Sequence, residues 1–211
     1  MPKGLLFASF DFSTAHADEF HDWYDLEHIP ERLRVPGFIN AERWIGEENP
    51  NVAVATYDLD SLGVLQSAPY KAIGYGNASV WTKRVTAIAK RLLRFTGEQV
   101  LPGDRAAPSG AGGLLVASMN VDPVAEPEFN EWYNAEHLPQ LGAVPGVLCA
   151  RRFSSPDADR ERKYLALYHL VGPEVARSDA WKKAADTPWT QRMRPHFRDL
   201  LTVRCKRYVR G

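Results

Sequence analysis

Cysteine is nearly absent: two residues in 211, Cys149 and Cys205, at no metal or redox spacing. That excludes a disulfide-stapled scaffold and fits reduced thiols in a cytoplasmic protein. Net charge is missing as well. Lys+Arg and Asp+Glu both total 26, so no basic surplus points to nucleic acid or to an anionic membrane. No stretch approaches the roughly 18 apolar residues of a membrane span. The first dozen residues carry one Lys and soon meet Asp11, unlike a signal peptide. Glycine-rich phosphate loops, a G-x-S-x-G elbow, H-E-x-x-H and Cys/His ligand clusters are all lacking, so no metal site is expected and no nucleotide chemistry is signalled.

What is present is a repeat. EFHDWYDLEHIPERLRVPGFINAERW at 19–44 returns as EFNEWYNAEHLPQLGAVPGVLCARRF at 128–153, an offset of 109. Glu-Phe, Trp-Tyr, Glu-His, Pro, Val-Pro-Gly, Ala and Arg all coincide. One structural unit has been written twice, and any site should be sought twice.

The element order repeats too. Gly4–Phe12 reads as a strand, and Phe20–Arg34 carries apolar residues at helical spacing. Pro30 inside that stretch predicts a loosened helix near Glu27–His28, and Val35-Pro36-Gly37 ends it. Strands at Phe38–Trp44 and Val52–Leu59, helical pieces at Ser61–Ala72 and Ser79–Ala89, and a strand at Leu92–Gln99 complete the half. Gly113–Val121, Phe129–Ala143, Val147–Phe153, Tyr164–Val171, Pro173–Ala185, Pro188–Phe197 and Leu200–Val209 follow the same plan. The expected fold is α+β: two tandem ferredoxin-like βαββαβ halves, at 1–100 and 113–211, joined by an exposed linker at 101–112. Each half would leave one apolar sheet face open, so packing sheet to sheet as an intramolecular α+β barrel is the natural solution. The expected strand order, 4-1-3-2, puts Cys149 and Cys205 on opposite edges of one sheet.

The motif F-x-x-W-Y-x-x-E-H-x-P, followed by V-P-G and a strand with A-x-R, resembles the EthD-like members of the dimeric α+β barrel superfamily, here as a tandem fusion. The resemblance implies small-molecule chemistry without a cofactor: the superfamily includes cofactor-free lyases, dehydratases, isomerases, cyclases and monooxygenases. It also includes haem-binding members, for which His169 would be the ligand to consider.

Tyr24 and His28 lie four apart on one helical face, with Trp23 and Glu27 as the neighbouring pair; Tyr133, His137, Trp132 and Glu136 repeat them. A His near its ordinary pKa of about 6.5 can exchange protons at neutral pH, a carboxylate can orient it, and Tyr can donate to an enolate oxygen. The expected catalytic set is therefore His28, Tyr24, Glu27, His137, Tyr133 and Glu136, joined by His169, which stands where the first half has Asp58. Trp23, Trp132, Arg43, Arg152, Tyr57 and Tyr168 are expected to bind substrate, either Arg pairing alternatively with a local acid such as the motif Glu. The expectation is a cofactor-independent lyase or dehydratase acting on a small apolar, aromatic or polyketide-like compound. The alternatives are a non-enzymatic small-molecule binder and a cofactor-free monooxygenase. No nucleic-acid or membrane partner is expected, and a homodimer through the outer helices is left open. The second half loses charge along its motif helix, which points to His137, Tyr133 and His169 as the main site.

Overall fold

The computed structural model describes residues 3–157 and 161–210. Strand β1 (Gly4–Asp11) leads into α1 (Ala17–Asp22), a π-helical turn (Trp23–His28) and α2 (Ile29–Leu33). Strands β2 (Glu42–Gly46) and β3 (Val52–Leu59), helices α3 (Ala68–Ala72) and α4 (Val80–Ile88), and β4 (Lys90–Leu101) follow. The second half runs β5 (Gly113–Val121), α5 (Glu126–Trp132), a π turn (Tyr133–His137), α6 (Leu138–Gly142), β6 (Val147–Ser154), β7 (Tyr164–Leu170), α7 (Asp179–Ala185), α8 (Pro188–Met193) and β8 (Phe197–Arg207).

Within each half the strand order is 4-1-3-2, as expected, and the edges join across halves to close a barrel, β1-β3-β2-β8-β5-β7-β6-β4. One seam pairs Trp44 with Arg207 and Gly46 with Cys205; the other pairs Glu98 with Ser154 and Leu101 with Arg152. Closure leaves no free strand edge among the eight. Cys149 and Cys205 sit on opposite edges of the second-half sheet and are free.

Strand alternation sorts side chains onto two faces. Leu5, Phe7, Trp44, Val54, Leu114, Val116, Leu165 and Leu167 point inward and fill the barrel. Leu6, Phe10, Tyr57, Leu115, Met119 and Tyr168 point outward, under the helices, into one core per half. The open faces foreseen from the sequence are thus covered by each other.

The barrel interior also holds charge. Arg151, fully buried, donates to Asp58 at 2.7 Å. His169, also fully buried, lies 3.1 Å from Glu42, which Arg207 bonds at 2.5 Å. Both Arg151–Asp58 and His169–Glu42 cross between halves. In the repeat, Glu42 corresponds to Arg151 and Asp58 to His169, so the two contacts are the same contact with the acid moved to the other position of the pair.

Two details depart from the sequence reading. Strand β2 begins at Glu42; Phe38 makes only an isolated bridge to Leu59. The segment 101–112 is pinned rather than simply exposed. Gln99 accepts from the Gly103 and Arg105 N–H groups and donates to the Arg105 carbonyl, the Ala107 N–H donates to Asp58 at 2.6 Å, and Ala111 is buried. Buried carboxylate and amide groups need partners, and this backbone supplies them.

Gly37 and Gly146, in the turns that follow α2 and α6, have φ of 95° and 91°, where a side chain is disfavoured. An added Cβ at Gly37 would sit 2.4 Å from Val64, and at Gly146 2.7 Å from Val175.

Candidate active site

Each half encloses a cavity between its outer sheet face and its helices. In the second half it opens about 190 Å³, walled by Trp132, Tyr133, His137, Tyr168, Trp181 and Arg194 among others. In the first half the matching space is about 50 Å³ and meets His28, Arg32, Tyr57 and Arg94. The difference follows from substitution: Arg32 fills space where the second half has Leu141, and Phe10 where it has Met119.

The motif His reaches each cavity from the end of a π turn. Ile29 N–H bonds the Tyr24 carbonyl and Leu138 N–H the Tyr133 carbonyl, both five residues back. Pro30 and Pro139 follow at once and can donate no helical bond, so the widened turn sits where the ladder is already broken. His137 packs against Trp132 at 4.3 Å between ring centroids and Tyr133 at 5.0 Å; His28 stands the same way at 4.2 Å from Trp23 and 5.2 Å from Tyr24. In both rings Nδ1 is buried without a partner. Tyr133 and Tyr168 bring their hydroxyls to 3.4 Å. In the first half Tyr57 lines the cavity with its hydroxyl unpartnered, while Tyr24 does not reach it.

The environment overturns the premise of a histidine poised near its ordinary pKa. Burial, then the Arg194 and Arg152 charges, lowers the His137 pKa to about 3. Burial, Arg32 and Arg43 hold His28 well below its usual range. Both rings are neutral at pH 7. Burial likewise raises Tyr57 to about 12, Tyr133 above its usual value and Tyr168 well above it, so all three are hydroxyl donors at neutral pH.

Glu27 and Glu136 do not orient the histidines. Ser79, the N-cap of α4, donates to Glu27 at 2.5 Å, and Thr82 donates at 3.2 Å while accepting from Trp23 Nε1. Thr187, the N-cap of α8, donates to Glu136 at 2.5 Å and bonds Thr190, which accepts from Trp132 Nε1. The motif Glu and Trp thus tie the first helix of each half to the start of its last. A hydroxyl that caps a helix still has a proton to donate, and the carboxylate takes it. Trp23 is core and does not line its cavity; Trp132 does both.

Arg43 and Arg152 also stand elsewhere than in the cavities. Arg43 bonds Asp25 at 2.5 Å and His21 at 2.7 Å, over the Tyr24 ring. Arg152 bonds Asn134 at 2.7 Å and Asn130 at 2.6 Å, over the Tyr133 ring. The acid that pairs with the strand Arg stands two residues before the motif Glu, and only the first half has it. Arg152 is fully buried and held by two neutral amides, so more of its field reaches the second cavity.

His169 is removed from the site by strand parity. Tyr168 points out into the cavity, so His169 points into the barrel, where it bonds Glu42 and packs edge-on to Trp44 at 5.8 Å. A ring with Nε2 so engaged, in a filled interior, does not fit a haem ligand. Among the described residues no cluster of His, Cys, Asp and Glu could hold a metal ion.

Arg32, Arg94, Arg194, Trp181 and the capping hydroxyls escaped the sequence reading. The hydroxyls had a signal: Ser79-x-Trp81-Thr82 recurs as Thr187-x-Trp189-Thr190. Among the described residues no helix is long and apolar enough to cross a membrane.

No family model matches the chain, and no curated protein matches it in sequence. Solved structures do match in shape. An anthrone oxidase-like protein aligns with a TM-score of 0.65 at 10% identity, covering 99% of this chain and 92% of that one. A candidate chlorite dismutase aligns at 0.65 and 14% identity over 99% and 96%. A candidate monooxygenase from Lactobacillus acidophilus aligns at 0.57 and 9% over 98% and 94%. At such identities the likeness is one of architecture: the chain has the fold of the dimeric α+β barrel superfamily, both halves of it in one polypeptide.

Proposed function

We propose that this is an EthD-like, cofactor-independent enzyme that removes a proton from a small aromatic substrate bound in the second-half cavity. Residues 113–211 carry the reaction and residues 1–100 complete the barrel. The observation that supports this is that His137, with a buried and unpartnered ring nitrogen, and the hydroxyl-paired Tyr133 and Tyr168 line one apolar space of about 190 Å³. An apolar cavity of roughly 150 Å³ accepts benzene, so this one suits a single substituted ring.

The electrostatics favour an anionic intermediate. Arg194 and Arg152 disfavour imidazolium in the empty cavity, and the same charges favour an enolate or phenolate. Proton transfer from substrate to His137 creates both ions at once, and each stabilises the other. Tyr133 and Tyr168 supply hydroxyl hydrogens for the substrate oxygen. In a dehydration the C–H proton passes to His137, the C–O bond breaks at the neighbouring carbon, and the imidazolium proton leaves with the hydroxide as water. This lyase or dehydratase outcome is our first reading.

A second reading shares the first step. The carbanion could be captured by dioxygen, and likeness to an anthrone oxidase-like protein and a candidate monooxygenase supports it. One-ring enolisable and hydroxylated aromatics, incubated in D2O with an oxygen electrode, separate the outcomes. Deuterium wash-in with loss of water supports elimination, and oxygen uptake supports oxygenation. Binding with neither indicates a binding protein. His137→Gln should lower turnover by about 10²–10⁴-fold; unchanged turnover would remove His137 from the mechanism.

A further inference from the structure

The first-half cavity is too small for an aromatic ring, yet it has a chemistry of its own. Tyr57, fully buried, presents a hydroxyl with no partner, and His28 a buried Nδ1 with none. An uncompensated buried hydroxyl is destabilising unless something bonds it. Two guanidinium groups meet the same space. Arg32 uses one nitrogen on the His28 carbonyl at 3.2 Å and, weakly, on Glu31 at 3.4 Å, which leaves its other N–H groups free to serve a ligand. Arg94, half-buried, has no carboxylate or hydrogen-bond partner among the described residues. Neither Arg belongs to the shared design: the second half has Leu141 and Thr202 at those positions. Two arginines, a tyrosine with an unpartnered hydroxyl and a histidine with an unpartnered ring nitrogen therefore line about 50 Å³.

We propose that this cavity binds a small carboxylate, of formate to acetate size or the acid group of a slightly longer chain. The guanidinium fork matches a carboxylate's two oxygens, and the Tyr57 hydroxyl supplies a further donor. The walls, Leu6, Ala8 and Phe10, are apolar and suit a methyl or short alkyl tail better than a hydrated halide. The volume admits one or two water-sized groups and no ring, taking about 30 Å³ for a water. The two halves would then have separated their tasks, one cavity for the reacting compound and one for a small acid. This assignment does not depend on the reaction proposed for the second half.

The test uses the full chain. Sodium formate, acetate and benzoate are titrated against the protein at constant ionic strength in sodium chloride, with the melting temperature and isothermal calorimetry as readouts. Formate or acetate should give a saturable stabilisation that benzoate does not match. Arg32→Leu and Arg94→Thr, each the residue the second half carries, should abolish the response while second-half turnover and the circular dichroism spectrum stay unchanged. Tyr57→Phe should weaken it about tenfold or more, the loss of one hydrogen bond to a charged group. A response equal in chloride, one that survives both Arg substitutions, or none in the wild type would overturn the proposal and leave the cavity to water.

Discussion

His137 makes a prediction that bears on stability and on mechanism together. Its pKa lies at about 3 in the native protein against 6.5 in an unfolded chain. Above pH 6.5 neither state binds the proton, and the ring contributes no pH dependence. Between pH 6.5 and 3 the unfolded chain takes the proton and the native protein refuses it, so stability falls as pH falls; below 3 the loss is complete. At pH 5 the unfolded form is favoured about 30-fold through this one group, a loss of about 2 kcal/mol. Urea denaturation of the wild type and of His137→Gln at pH 7.5 and 5.0 isolates the contribution, because the two proteins differ only at this ring. The wild type should lose about 2 kcal/mol more than the variant between the two pH values. The Cε1–H resonance of His137 should show no titration down to about pH 4. Equal pH slopes, or a resonance that titrates near pH 6.5, would refute the desolvated, cation-flanked imidazole and with it the argument for an anionic intermediate.

The interior pairs predict coupling. Arg151→Met and Asp58→Asn should each cost about 3–5 kcal/mol, because each leaves a buried charge alone, and together they should cost clearly less than the sum; additive losses in a denaturation cycle would show the pair is not coupled. Glu136→Gln should lower stability by about 1–3 kcal/mol through the Thr187 hydroxyl while turnover changes little. A hundredfold fall in turnover at unchanged stability would return Glu136 to the catalytic set. His28→Gln should leave turnover of a one-ring substrate near the wild-type value where His137→Gln does not; equal losses would mean two working sites.

The fold was legible because it is encoded by patterns that the sequence prints twice. Element order, strand order and the mutual covering of the sheets all follow from the repeat and from the open apolar face of each half. The site was legible in part. Tyr168, Tyr133 and His137 do meet, since helix and strand periods bring them to one face. What failed needed information that periodicity does not hold. Adjacent strand residues point to opposite faces, and nothing in Tyr168-His169 says which one faces the helices. Glu136 could have met its neighbour His137, but the free hydroxyl at Thr187 lay fifty-one residues away in sequence. Arg32 and Arg194 belong to opposite ends of their respective halves and have no counterpart across the repeat, so a search for repeated residues passes over both.

The exchanged position of the acid inside the barrel says something about assembly. Suppose the first half met a second copy of itself. Glu42 would then face Asp58, two acids in a sealed interior. A second half meeting its own copy would set Arg151 against His169, adding a cation beside a ring that could then only stay neutral. Either encounter strands charge out of reach of water, at a cost of several kcal/mol. The charge pattern therefore favours pairing of unlike halves over either half with its own kind. A symmetric dimer could never hold this arrangement, because one gene would have to place opposite charges at a single position. The arrangement needs two different sequences, and the shared chain brings both together in a single molecule.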